Sequence, residues 1–254
     1  MGQGMGRENV MAVTGGASGI GLAAASKWVE CGGSVVLLDF DLAAAQRASR
    51  DLGPAARALF IDVADAQSVA QAFEDIASRE QRIDALVNSA GIARPAPSAD
   101  MTEEEFGSVM NIHVHGTFRV SQAARKLLSA SGQGSIVNLA SVAALAGMPG
   151  RANYTAAKSA IAGLTRTLAV EWASESIRVN AVGPGYVRTP FTDVLIEQGK
   201  LRTEGIEART PLGRFAKPEE IANVIHFLAT NDSSYVTGHL LMADGGLTVQ
   251  GDWY

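Results

Sequence analysis

The stretch Thr14-Gly15-Gly16-Ala17-Ser18-Gly19-Ile20-Gly21 most constrains how this chain can fold. It follows a short apolar run at residues 10–13 and opens a helical pattern reaching residue 31. In a turn of the form T-G-x-x-x-G-x-G, the glycines permit a tight bend, close backbone approach and close helix packing. The free N–H groups and positive dipole end of the helix then suit a pyrophosphate. A glycine-rich βα turn that binds nothing is the plain alternative, and the strand-turn-helix context weighs against it.

Apolar runs and amphipathic stretches keep alternating along the chain. Strands are predicted at residues 35–38, up to residue 61, and at 86–87, 136–139, 177–181 and 240–241. Helices are predicted at residues 42–52, after Asp65, and at 153–173. Another follows Lys217-Pro218-Glu219-Glu220, with proline in its first turn. The capping box Thr102-Glu103-Glu104-Glu105 opens a further helix to about residue 129, with a predicted break near Asn111. This order predicts an α/β fold, a single-domain doubly wound Rossmann-type parallel sheet with helices on both faces. Residues 1–9 read as a flexible tail, and residues 10–254 as one dinucleotide-binding catalytic domain. The insert at residues 186–215 is too long for an ordinary connection and is predicted to be a substrate lid. Gly199 and Gly205 argue for its mobility, and Phe191, Val194, Leu195, Ile196 and Leu201 for an apolar covering face.

At 254 residues, 47% of them hydrophobic, the chain can bury a sizeable core. The formal charge of −5 is spread among interspersed acids and bases, with no Lys/Arg block to bind nucleic acid. Cys31 stands alone, so no intrachain disulfide is possible, and a cytoplasmic location is expected. The most membrane-like stretch, residues 136–148, is short and interrupted by Asn138 and Ser141, so no membrane association is expected.

Candidate chemistry gathers at the carboxyl ends of the predicted strands, where open α/β sheets bind ligands. Ser141 follows the fifth strand, Asn88-Ser89-Ala90-Gly91 ends the fourth, and Pro184-Gly185 and Thr189 follow the sixth. Tyr154 and Lys158, four residues apart, share one helix face. A nearby ammonium favours phenolate, so the Tyr154 pKa is expected below its ordinary value near 10. The phenol can then exchange a proton at neutral pH. Alone, such a pair is more often incidental; its company lifts it. Asp39 follows the second strand about twenty residues after the glycine turn, where an acid accepts bonds from a ribose. Asp62 is read as holding the adenine end or as capping the next helix. His113 and His115 diverge by about 200° on a helix, so no metal is assigned.

Jointly, these residues identify a resemblance to the short-chain dehydrogenase/reductase family over nearly the whole chain. The matching elements are TGGASGIG, Asp39, Asp62-Val63, NSAG, Asn111, Ser141, Tyr154-x-x-x-Lys158, Gly183-Pro184-Gly185 and Thr189. Ser89 departs from the family, which more often has a second Asn there. The resemblance implies Tyr154 as general acid/base and Lys158 as its pKa-lowering partner and ribose ligand. It implies Ser141 on the reacting oxygen and Asn111 on a relay water. The implied cofactor site comprises Gly15, Ser18, Gly19, Ile20, Gly21, Asp39, Asp62, Val63, Asn88, Ala90, Gly91, Tyr154, Lys158, Pro184, Gly185, Val187 and Thr189. Thr189 and the Val187 backbone would meet a nicotinamide carboxamide.

The implied activity is NAD-dependent oxidation of a secondary alcohol or reduction of a ketone. The NSAGIA and Tyr235-Val236-Thr237-Gly238 stretches are similar to those of members acting on polyols and sugars. A 3-oxoacyl-thioester reductase is the alternative, but it is expected to carry a basic residue among Gly16, Ala17 and Ser18. A non-catalytic dinucleotide-binding regulator is a lesser one, since Ser141, Tyr154 and Lys158 are all present. A homotetramer is expected by resemblance, with the helices around Ala123 and Ile161 as candidate interfaces.

Overall fold

The computed structural model describes residues 9–197, 199 and 201–251, so most of the predicted N-terminal tail lies outside the described residues. The chain alternates β1 (Val10–Thr14), α1 (Gly19–Glu30), β2 (Ser34–Asp39), α2 (Leu42–Leu52), β3 (Ala56–Phe60) and α3 (Ala66–Glu80). There follow β4 (Ala85–Asn88), α4 (Glu103–Met110), α5 (Thr117–Ser131), β5 (Gly134–Leu139), α6 (Ala152–Trp172) and β6 (Ile177–Pro184). The remaining elements are α7 (Pro190–Glu197), α8 (Thr203–Arg209), α9 (Pro218–Ala229) and β7 (Leu240–Ala243).

All seven strands form one parallel sheet in the order β3-β2-β1-β4-β5-β6-β7. Successive side chains of a strand point to opposite faces, and the core divides accordingly. Ala12, Val36, Leu38, Leu86 and Ile136 pack with Phe73 and Ile76 of α3, Val120 and Leu128 of α5, and Leu168 and Trp172 of α6. Met11, Val13, Val35, Leu37, Val87 and Val137 pack on the other face with Ala25 and Trp28 of α1, Ala45 of α2, and Ile221 and Ile225 of α9. The strand order reverses direction between β1 and β4. At such a switch point, neighbouring connections leave to opposite sides and open a crevice above the carboxyl ends.

Several local signals act as the sequence suggests. Thr102 and Glu105 form the reciprocal capping box, and Asp65 caps α3 by accepting from Gln67 N at 2.9 Å. Asp65 takes the capping role that was open to Asp62. The break at Asn111 is a π-helical turn over Asn111–Gly116, between α4 and α5.

Residues 186–215, the predicted lid, contain the helices α7 and α8. Backbone bonds from Arg188 N to Ala216 O and from Ala216 N to Tyr186 O, both 2.9 Å, join the two ends of the segment. On α5 and α6, the helices that carry Ala123 and Ile161, Ile161 itself is buried with Ala140 and Ala181 in a small core cluster, while the large apolar side chains of Phe118 and Val170 are exposed. No helix among the described residues is long and apolar enough to cross a membrane.

Candidate active site

A cavity of about 680 Å³ occupies the crevice above the switch point. One end is built by the glycine turn. Gly15 and Gly19 have φ of +65° and +54°, in the left-handed region that favours glycine. A Cβ on Gly21 would stand 2.2 Å from the Gly15 carbonyl oxygen, so α1 can approach the turn this closely only with glycine there. The Thr14 hydroxyl ties the turn to the end of β4, accepting from Ser89 N at 3.1 Å and Ala90 N at 3.2 Å. Asp39 lines the cavity and also braces the turn. Its two carboxylate oxygens accept from Ala17 N and Asp41 N, each at 3.0 Å. Asp62 lines the same end, with one oxygen accepting from Ala64 N at 2.9 Å.

The other end holds Ser141, Tyr154 and Lys158, all lining the cavity. Ser141 leaves β5 in extended conformation and its Oγ accepts from Ala143 N at 3.2 Å. The first turn of α6 is fixed by buried Asn153. Its amide donates to Arg94 O and Glu105 O, and its oxygen accepts from Tyr154 N at 2.7 Å. Four residues on, Lys158 is buried, donates to Leu139 O at 2.5 Å, and places Nζ 5.4 Å from the Tyr154 ring centroid. Burial pushes the Lys158 pKa down to about 7.

The direction expected for Tyr154 is reversed. Burial raises the phenol pKa, opposed by the Ser141 hydroxyl and by the charge of Arg151. Desolvation disfavours the charged form of each group, and for the phenol it outweighs the Ser141 hydrogen bond and the Arg151 charge.

A family model described as enoyl-(acyl carrier protein) reductase matches residues 15–248. The 3-oxoacyl-[acyl-carrier-protein] reductase FabG of Thermotoga maritima is 40% identical over 243 residues, covering 94% of this chain and 98% of that protein. The galactitol 2-dehydrogenase (L-tagatose-forming) of Cereibacter sphaeroides is 41% identical over 241 residues, covering 94% of each. The crystal structure of gox2181 superposes with a TM-score of 0.91 at 36% identity, covering 96% of each chain. The chain belongs to the short-chain dehydrogenase/reductase family. It is an oxidoreductase acting on CH–OH groups with NAD(P).

The residues present in this dehydrogenase/reductase fit such a dinucleotide. The glycine turn leaves backbone room, and the cavity runs from Asp39 past Ala90 and Gly91 to Lys158 and Thr189. Of the sequence-predicted cofactor residues, Gly15, Ser18, Gly19, Ile20, Asp62, Val63, Pro184, Gly185 and Val187 also line it. Gly21 does not, serving instead beneath the turn. Asn88 is drawn inward: its amide nitrogen donates to Asn138 Oδ1 at 2.9 Å and Ser121 Oγ at 3.0 Å, in a buried network continuing to Thr165. Asn111 also stays off the cavity wall, its oxygen accepting from Arg119 at 2.9 Å.

The wall residues not assigned a site role from sequence include two with ionisable side chains, His113 and Arg151. His113 is buried edge-on to Tyr154, with ring centroids 5.5 Å apart, and its Nε2 lies 2.8 Å from Ile92 O. Burial and the Lys158 charge push its pKa down to about 3. A Cβ on Gly91 would come within 2.3 Å of this ring, which gives that glycine a packing reason. His115 is exposed, so the two histidines lie on different sides of their turn. Arg151 is the second; it occupies the N-cap position of α6, just outside the helix, and its signal was a cation placed just ahead of Tyr154.

Proposed function

We propose that this chain moves a hydride between NAD(H) and a secondary alcohol or ketone of the polyol or sugar type. The observation that carries the reading is one cavity with Ser141, Tyr154 and Lys158 at one end and Asp39 at the other. The bound nicotinamide supplies the hydride acceptor for oxidation and the donor for reduction. Tyr154 takes the substrate hydroxyl proton as the carbinol C–H bond gives up its electron pair, and returns a proton to the oxygen when a ketone is reduced. Ser141 orients that oxygen by hydrogen bonding. Lys158 binds the ribose of the cofactor, and its charge favours the phenolate. Asn111 acts behind the wall on a relay water. Thr189 and the Val187 backbone face the carboxamide, and residues 186–215 close over the substrate.

Similarity to a galactitol 2-dehydrogenase favours the polyol class. Similarity to FabG at nearly the same identity favours a second reading, a 3-oxoacyl-thioester reductase. Nicotinamide absorbance with a panel of polyols, simple secondary alcohols and a 3-oxoacyl thioester separates them. Tyr154-dependent oxidation of polyols with NAD supports the first reading, and thioester reduction with NADPH the second. We infer a cytoplasmic homotetramer assembled through α5 and α6, where Phe118 and Val170 are exposed; light scattering at micromolar concentration tests its size.

A further inference from the structure

Arg151 stands at the N-terminal boundary of α6, three residues before Tyr154, and lines the same cavity. As the N-cap residue, with φ −138° and ψ 40°, it lies just outside the helix, and it shares the cavity wall with Tyr154 and Ser141. Its charge is felt by the phenol, whose pKa it lowers. Among the described residues, Arg151 has no ion pair and makes no side-chain cap of α6. No acid in the first turn of α6 balances it.

The acids lining the cavity are Asp39 and Asp62, which follow β2 and β3 at the opposite end of the crevice. The cavity wall also includes Met148, Tyr186, Leu195 and Leu201, which give a guanidinium no counter-charge. Lys158 already has Leu139 O as a partner and a place in the proposed chemistry. Arg151 is therefore a cation on the wall of the reactive cavity with no acidic partner among the described residues.

We propose that Arg151 is a specificity-determining residue that receives an oxyanion, a carboxylate or phosphate, carried by the substrate beside its reacting carbinol or ketone. The proposal rests on the oxidoreductase reading above and narrows its substrate class from neutral polyols to hydroxy acids or phosphorylated alcohols. A planar guanidinium can meet either oxyanion with two parallel N–H bonds. That contact fixes which carbon faces Tyr154. Because the anion is held alike in ground and transition states, its removal should fall mainly on KM.

Matched probes that differ only in charge test this. Kinetics with NAD compare 4-hydroxypentanoate with 1,4-pentanediol and with the 1-phosphate of that diol. Calorimetry on the enzyme loaded with NADH compares 4-oxopentanoate, 5-hydroxy-2-pentanone and the phosphate ester of the latter. We expect an anionic probe to exceed its neutral partner at least about tenfold in kcat/KM and in affinity. Whichever anion wins identifies carboxylate or phosphate as the source. Arg151→Gln should collapse that ratio through KM, and Arg151→Lys should retain part of it. A ratio near one in the unmodified protein, or one that survives in Arg151→Gln, overturns the proposal. Tyr154-dependent turnover of neutral alcohols with no anion preference sinks only Arg151. Anion binding without Tyr154-dependent turnover of any alcohol or ketone sinks the oxidoreductase mechanism and leaves Arg151 standing.

Discussion

Asp39 is expected to make this enzyme prefer NAD over NADP. The perturbation is the 2′-phosphate of NADP, which replaces a ribose hydroxyl and carries a charge of about −1.5 to −2. Two unit charges about 4 Å apart repel by roughly 1 kcal/mol in water and roughly 4 kcal/mol at an effective dielectric near 20. Asp39 is half-buried, so its environment lies between these limits. It also cannot readily swing away, because Ala17 N and Asp41 N each hold one carboxylate oxygen at 3.0 Å. Among the described residues no lysine or arginine lines that end of the cavity, and Arg47 is exposed on α2 outside it. Even the water limit, multiplied by the phosphate charge, gives about 1.5–2 kcal/mol, which exceeds the roughly 1.4 kcal/mol of a tenfold effect. Steady-state kinetics with both cofactors should therefore give at least about tenfold higher kcat/KM with NAD. Asp39→Asn should narrow the gap. Asp39→Ala should narrow or reverse it and also lower the value with NAD, because Ala17 N of the glycine turn loses its acceptor. Equal use of NADP by the unmodified protein would refute the reasoning and favour the thioester reductase.

Tyr154→Phe should lower kcat by at least about 10²-fold, the usual effect of removing a general acid/base, while NAD affinity measured by calorimetry changes little; near-normal turnover would exclude Tyr154 from proton transfer. Residues 186–215 should exchange amide hydrogens readily in the free protein and more slowly with cofactor and substrate bound, and strong protection in both states would reject the lid. Burial holds Lys158 at about 7 against its ordinary 10.5, so between these values the unfolded chain binds more protons and stability rises with pH. The denaturation midpoint of the cofactor-free protein should accordingly gain more from pH 7.5 to 9.5 than that of Lys158→Met; equal gains would mean the lysine is not desolvated. His113, held at about 3 against 6.5, acts with the same sign at lower pH, so stability should fall from pH 6.5 toward 3 less steeply in His113→Asn.

Features that depend on a few neighbours in sequence were legible in the chain. The capping box at Thr102 and the proline in the first turn after Lys217 are local chemistry, and the strand positions follow from runs of apolar residues. The grouping of Ser141, Tyr154 and Lys158 was also legible, because strand ends and helix faces are periodic. What escaped depended on contacts distant in sequence. Burial decides the direction of the Tyr154 pKa, and no residue near it in sequence encodes that burial. Asp39 braces Ala17, twenty-two positions away. Asn88 turns toward Asn138 and Ser121, which reach it only once β4, β5 and α5 have packed. The helices α7 and α8 hid within a segment whose length and glycines read as a loop.

The wide turn at Asn111–Gly116 bears on how this scaffold tolerates changes of length. A π turn spends one more residue per turn than an α turn and commonly marks a functional site. Here it carries His113 to the wall beside Tyr154, while α4 before it and α5 after it keep regular α geometry. Deleting one residue inside the turn would let the helix close into an ordinary spiral, with both flanking segments still seated on the core. Shortening the chain at this point would then spare the architecture and remove the wall, making it a place where foldability and catalysis part company.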